Sequence, residues 1–337
     1  MSEAAGRGLP TKAGDDVPRT IVSRASPADR VFRGILRAAG LSVLVITALI
    51  LVFLVIQART ALAAEGFRLL TIPGLTPGDN RFGVAALLPY SVLIAVIAIV
   101  FAVPAGFAAA LYISEYAPAR LRRPLIAVVD VMAALPSIVV ALWGLIFLMP
   151  RMLGTDSWLG HYLGFIPFFH VPANPAPTEL VGSSFIAGTV VSILVTPIIT
   201  SLSRQAFSQA PQGEREAAYA LGSTRWGMVR TVVLPFGRAG MIGSSMLGLG
   251  RALGETIVVS FILVLNSNSA LFSPHMLQSG GNSITSEIAN NIFVFDPRGR
   301  SFLMAAGLVL FAATLSINTL ASILVNRSRS GATTQVD

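Results

Sequence analysis

Two residues that can do chemistry, Arg251 and Glu255, lie in the apolar stretch GLGRALGETIVVSFILVL at positions 248–265. A guanidinium is always charged, and its planar fork can bind two oxygens of a phosphate group at once. A carboxylate four residues later falls on nearly the same face of a helix. The pair therefore predicts a cationic site for an oxyanion, in which Glu255 holds the arginine between binding events.

The alternative for the same two residues is an internal ion pair whose only role is to let the segment enter a bilayer. On exposed helices such a pair contributes about 0.2–0.5 kcal/mol, and the order Arg before Glu is the weaker one. A charge at the centre of a bilayer costs on the order of 3 kcal/mol. Pairing by itself does not explain why the charges are present, so the spacing favours the oxyanion site without removing the alternative.

The composition is that of a membrane protein. Of 337 residues, 54% are hydrophobic and 12% are charged, with a mean hydropathy of +0.73, whereas soluble domains carry about 25% charged residues. The sequence has no cysteine, its three histidines are far apart, and its one lysine, Lys12, does not follow a glycine-rich turn. We therefore expect no metal site, no catalytic residue and no P-loop for ATP.

Six apolar stretches approach the ~20 residues that a helix needs to cross a bilayer. We predict spans at about 39–58, 84–111, 125–150, 181–203, 240–265 and 301–325. Of the 24 Lys and Arg residues, 17 lie before residue 39, at 112–124, at 204–239 or after residue 325. Positive loops stay in the cytoplasm, so both termini are predicted to be cytoplasmic. The net charge of +8 then reflects topology, and we expect no nucleic-acid partner.

The chain outside the spans has a simple predicted organisation. Residues 1–38 are predicted to form a cytoplasmic tail that is disordered up to residue 25 and then forms a short interfacial helix, because SPAD at 26–29 is typical of a helix start. We further expect an uncleaved first transmembrane helix at 39–60, an external loop at 61–83, a membrane core at 84–325 and a cytoplasmic tail at 326–337.

The cytoplasmic loop at 211–235 has the sequence PQGEREAAYALGSTRWGMVRTVVLP. It is predicted to form a helix, a tight turn and a second helix, and this whole unit is called the elbow. Pro211 suits a helix start, and acidic residues follow in the first turns. Gly222 comes after a regular helical run and suits a C-terminal cap with positive φ. Ser223 or Thr224 can then cap the second helix, of which Trp226, Val229 and Val233 form an apolar side.

The same loop carries a motif: EAA, three residues, Gly, nine residues, a branched aliphatic residue, any residue, then LP. Here the motif comprises Glu216, Ala217, Ala218, Gly222, Val232, Leu234 and Pro235, with valine in place of the usual isoleucine. In this motif the chain resembles the permeases of ABC importers. The resemblance implies that the loop docks in a cleft of a separate ATPase subunit. ATP and Mg²⁺ would then bind to that subunit, and this chain would hold no cofactor.

The core from about 82 to 325 is similar to the phosphate-specific permeases of this class. The segments that carry the resemblance are 82–118, ALPSIVVALWGLIFL at 134–148 and GLGRALGETIVV at 248–259. LWGL favours the PstC type over the homologous PstA type. The resemblance implies an all-α, multi-pass protein of the bacterial inner membrane with six transmembrane helices and the type I ABC importer permease fold.

The implied function is that of the permease subunit of an ATP-driven importer of inorganic phosphate, and not that of an enzyme. The implied partners are a homologous permease subunit of the PstA type, two copies of an ATPase of the PstB type and an external phosphate-binding protein of the PstS type. One alternative is another oxyanion, such as sulfate or molybdate. A second alternative is a secondary transporter, against which the EAA motif argues.

Overall fold

The computed structural model describes residues 26–72, 75–76, 81–172, 175–263 and 272–329. The chain divides into two compact units, Met1–Ile50 and Leu51–Asp337. The helices are α1 (Pro27–Glu65), α2 (Leu87–Leu111), α3 (Ala119–Ala134), α4 (Ser137–Trp143), α5 (Met149–Leu163), α6 (Pro177–Leu180), α7 (Ser184–Ser208), α8 (Gln212–Ala220), α9 (Arg225–Met228), α10 (Leu234–Gly254), α11 (Ile257–Leu263), α12 (Ile284–Asn291) and α13 (Pro297–Arg329).

The predicted all-α class with six spans is confirmed. The helical stretches long and apolar enough to cross a membrane are Pro27–Leu70, Leu87–Tyr116, Ser137–Leu163, Ser184–Ser208, Arg225–Gly254 and Pro297–Leu320. The β-strands in the described ranges form one short antiparallel ribbon, in which β1 (Leu75–Thr76) pairs with β2 (Arg81–Phe82) inside the predicted external loop. The predicted disordered tail at 1–25 and residues 330–337 lie outside the described residues.

Helix α1 is longer than the sequence predicted. The backbone N–H of Ser26 donates to Asp29 Oδ2 at 3.3 Å, and Pro27 follows as the first helical residue, as expected for this start. We predicted a short helix up to residue 38 and a separate span from residue 39. Instead one helix of 39 residues continues to Glu65. No proline interrupts its ladder of backbone hydrogen bonds, so nothing forces a break at residue 38.

Helices α2, α7 and α10 form the centre of the fold, and glycines allow their close approach. A Cβ atom on Gly188 of α7 would lie 2.6 Å from Ile97 Cγ2 of α2. A Cβ atom on Gly248 of α10 would lie 2.8 Å from Ile199 Cδ1 of α7. Small residues at such contacts let membrane helices gain van der Waals contact, because lipid supplies no hydrophobic driving force between them.

The third span begins later than predicted. We expected it at 125–150, but α3 ends at Ala134 and the span is Ser137–Leu163. Leu135 takes an extended conformation with ψ 133°. Pro136 follows Leu135, and proline disfavours the helical conformation of the residue before it, so the helix ends where we expected a continuous span.

The fifth span also differs from the prediction of one helix at 240–265. It begins in the elbow, where α9 continues through a five-residue π segment, Val229–Val233, into α10. It ends at Gly254, and Glu255 is extended with ψ 118° before α11 starts at Ile257. The apolar run that looked continuous in the sequence is therefore two helices with a break at the glutamate.

Candidate functional site

An open cavity of about 720 Å³ lies between α7, α10 and α13. Arg251 and Glu255 both line it, together with one residue from α7 and one from α13. Three of the α10 positions are glycines, so no side chain projects into the cavity from those positions. The lining residues are Ile198, Gly243, Met246, Leu247, Gly250, Arg251, Gly254, Glu255 and Asn318.

Arg251 lies in the last turn of α10 and is exposed to the cavity space. The predicted ion pair with Glu255 is not formed. Nor does the guanidinium have any other ion-pair or hydrogen-bond partner among the residues that the structure describes. Its donors are therefore free for an anion. The end of α10 adds negative backbone dipole beside the arginine, which favours a cation at this position.

Glu255 is buried, with 8% of its surface exposed, and it takes part in local structure. Its Oε1 accepts a hydrogen bond from the Val258 backbone N–H at 3.4 Å, and its carbonyl oxygen accepts one from Thr285 Oγ1 at 3.1 Å. The first N–H groups of a helix lack partners within the helix, and this carboxylate supplies one for α11. Glu255 thus stabilises the helix break beside Arg251 instead of neutralising the arginine.

Asn318 on α13 is a cavity residue that the sequence analysis missed. Its Oδ1 is buried and has no hydrogen-bond partner in the described part of the chain, and its Nδ2 lies 3.9 Å from the Cβ position of Gly250. The large majority of buried polar atoms in proteins have a hydrogen-bond partner, so this amide oxygen is an exception. The signal available in the sequence was a lone asparagine in the apolar segment SINTLASILV.

The predicted elbow is present at the predicted place. Gly222 has φ +80°, as expected, and Thr224 Oγ1 accepts from the Gly227 N–H at 3.1 Å, which identifies Thr224 as the helix cap. Among the motif residues, Ala218 is buried against the second helix of the elbow, whereas Glu216 and Ala217 are exposed. Val232 and Val233 are the last two residues of the π segment, and Leu234 and Pro235 are the first two residues of α10.

The elbow also exposes apolar side chains. Leu221 is 87% exposed and Trp226 is 54% exposed. The predicted apolar side of the second helix is therefore only partly correct, because Val229 and Val233 are buried while Trp226 points away from the chain's core. Large exposed apolar side chains within one short segment are typical of a protein interface.

Comparisons with known proteins agree with this fold. Residues 102–330 match the family described as binding-protein-dependent transport system inner membrane component. A protein of Mycobacterium tuberculosis named phosphate transport system permease protein PstC 2 is 36% identical, over 91% of this chain and 94% of its own length. The phosphate transport system permease protein PstC of Mycobacterium leprae is 38% identical, over 80% of this chain and 84% of its own length.

Two solved structures share the fold at low sequence identity. Both are of a bacterial ABC transporter for the acidic polysaccharide alginate. One, in complex with a pentasaccharide-bound periplasmic protein, has a TM-score of 0.58 at 16% identity and covers 92% of this chain and 99% of its own. The other has a TM-score of 0.54 at 16% identity and covers 88% and 99%.

These comparisons confirm three predictions made from the sequence. The predicted resemblance, the inner-membrane location and the status as a transport component instead of a catalytic subunit all agree with them. The chain belongs to the family of binding-protein-dependent transport system inner membrane components, and its fold is that of the type I ABC importer permeases.

Proposed function

We propose that this chain is the permease subunit of an ATP-driven importer of inorganic phosphate and that Arg251 receives the anion in the cavity between α7, α10 and α13. The observation that carries the proposal is an arginine in a membrane span with no partner among the described residues, at the wall of a cavity. The names of the relatives at 36% and 38% identity support phosphate as the substrate.

The energetics of the arginine favour a ligand role. An unpaired charge costs on the order of 3 kcal/mol at the centre of a bilayer. Arg251 lies in the last turn of α10 at the cavity wall, and no acidic side chain of the described chain pairs with it. A guanidinium can hold two phosphate oxygens in its fork. The cavity of about 720 Å³ is many times the ~30 Å³ of one water molecule, so it has room for an anion with part of its hydration shell.

The elbow supports a separate ATPase as the source of the driving force. Its exposed Leu221 and Trp226 offer an apolar contact surface next to the EAA motif. The sequence has no P-loop, so ATP and Mg²⁺ would bind to that partner. We also propose a homologous permease that completes the pathway and an external binding protein that delivers phosphate.

The distribution of arginines supports an orientation with both termini in the cytoplasm. With the revised span boundaries, the elbow lies on the same side of the membrane as α3. Both segments are rich in arginine, which favours the cytoplasmic side. Sulfate or molybdate as substrate, and a secondary transporter, are not favoured. The relatives are named for phosphate, and the family is named for binding-protein-dependent transport.

Uptake by the reconstituted complex tests this proposal. The chain, its permease partner and the ATPase are placed in liposomes with the binding protein outside, and labelled phosphate or labelled sulfate is supplied with ATP inside. We expect ATP-dependent phosphate uptake and little sulfate uptake. Omitting the ATPase is the control and should abolish uptake. Uptake that continues without the ATPase, or that prefers sulfate, would reject the proposal.

A further inference from the structure

Arg215, on α8 of the elbow, joins three segments through one guanidinium. Its Nη1 donates to Glu115 Oε1 at 3.0 Å and to Oε2 at 2.9 Å. Its Nη2 donates to the Phe207 carbonyl oxygen at 2.6 Å, and its Nε donates to the Ala210 carbonyl oxygen at 3.2 Å. Glu115 lies in the π segment at the end of α2, and Phe207 lies in the last turn of α7.

This contact is unusual for the chain in both burial and charge. The Glu115 side chain is 4% exposed and the Arg215 side chain is 20% exposed, and no other ion pair occurs among the described residues. Breaking a buried pair by removing one partner leaves an uncompensated charge and is strongly destabilising. Each nitrogen of this guanidinium donates to at least one acceptor, so these hydrogen bonds fix the orientation of the Arg215 side chain.

The two helices held by Arg215 lead to the cavity. Helix α7 contributes Ile198 to the cavity wall. Helix α2 contacts α7 closely, since a Cβ atom on Gly106 would lie 2.7 Å from Ile199 Cγ2. Ile199 directly follows the cavity residue Ile198 in the sequence. Packed helices of this kind move as units, because close-packed interiors resist compression. A displacement of α8 is therefore passed to both helices without slack at the elbow.

We infer that Arg215 is the positioning residue that fastens the elbow to α2 and α7, so that a movement imposed on the elbow by the ATPase reaches the anion cavity. The inference rests on the proposed function, because only a docked ATPase moves the elbow. A contact that served the fold alone would affect how much complex assembles. A coupling contact also affects how much phosphate is moved for each ATP hydrolysed.

The test measures assembled complex, phosphate uptake and ATP hydrolysis in the same liposomes. Arg215→Gln removes the charge and most of the bonds. Arg215→Lys keeps a charge for Glu115, but an ammonium cannot also reach the two carbonyl oxygens in the geometry of the planar fork. The matched control is Arg123→Gln, because Arg123 is an exposed arginine of α3 with no ion pair in the described structure.

We expect the phosphate moved per ATP to fall about tenfold in assembled Arg215→Gln complexes, a loss typical of hydrogen bonds to a charged group. Arg215→Lys should fall between this variant and the wild type, and the control should be unchanged. The double variant Glu115→Gln with Arg215→Gln should be no worse than Arg215→Gln alone, because residues of one unit are not additive. If the Arg215→Gln complex does not assemble, the phosphate moved per ATP by the Arg215→Lys complex decides the test.

An unchanged ratio in assembled Arg215→Lys complexes, with or without a lower yield of complex, would overturn the inference. That result would leave phosphate transport by the wild type untouched. A wild-type complex that moves no phosphate would instead reject the proposed function, and the inference would fall with it. The wild-type arm therefore separates the two failures.

Discussion

Replacing Gly222 tests how the elbow is built and what it touches. The Gly222 N–H donates to the Tyr219 carbonyl oxygen at 2.9 Å, and the Ser223 N–H donates to the Ala218 carbonyl oxygen at 3.1 Å. These are the two bonds of a Schellman motif, which needs positive φ at Gly222, here +80°. A residue with a Cβ atom costs about 1–2 kcal/mol in this conformation. Such a cost changes the ratio of intact to opened elbow by a factor of about 5–30.

The structure separates this backbone effect from crowding by another chain. A Cβ atom on Gly222 would meet no atom within 4 Å. Gly222→Ala and Gly222→Leu should therefore impose similar strain within the chain. Gly222→Asn should impose less, since asparagine visits positive φ readily. Any further loss in the leucine variant has to come from a partner that lies against the elbow.

The assay is phosphate uptake and ATP hydrolysis by the assembled complex in liposomes. We expect near-normal values for Gly222→Asn, a partial loss of both for Gly222→Ala, and a larger joint loss for Gly222→Leu with the complex still inserted in the membrane. Equal losses for alanine and leucine would mean that no partner lies close to Gly222. Normal uptake in Gly222→Leu would refute the role of the elbow in coupling.

Three further predictions concern topology, packing and capping. Reporter fusions should report outside after Glu179 and Glu287 and inside after Arg123 and Gln212, and one inverted position would break the proposed orientation. Gly188→Val should lower the melting temperature of the purified complex, because the new Cβ atom would lie 2.6 Å from Ile97 Cγ2 and overpacking costs about 1–3 kcal/mol; Gly154→Ala, whose Cβ atom meets nothing within 4 Å, is the control. Thr224→Ala should weaken the elbow by about 1 kcal/mol, seen as faster amide exchange at Gly227, and unchanged exchange would contradict the cap.

The elbow could be predicted from the sequence because its determinants are local. Gly222 and Thr224 impose their conformations on adjacent residues, so their roles can be inferred without knowledge of the rest of the chain. The number of spans is also local information, because each depends on the length of one apolar run. Both predictions are confirmed.

The remaining features depend on contacts that the sequence does not display. The bond between Arg215 and Glu115 joins residues 100 positions apart, and Asn318 meets the cavity only through the packing of α13. The break at Glu255 was hidden because the apolar run continues across it. The expected ion pair between Arg251 and Glu255 assumed one helix through both residues, and the helix ends between them.

Arg251 as the anion site is tested most directly by phosphate uptake per assembled complex in Arg251→Gln, compared with Arg238→Gln, an exposed arginine of the same helix with no ion pair in the described residues. We expect Arg251→Gln to assemble, because the variant no longer has a charge to place in the membrane. We expect it to lose uptake, because it also lacks the group that binds phosphate. Arg251→Lys should also transport poorly, because it lacks the planar fork. Glu255→Gln should be milder, since an amide oxygen can still accept from the Val258 N–H. Full uptake by Arg251→Gln, or recovery of uptake when Glu255→Gln is added to an inactive Arg251→Gln, would contradict the anion site.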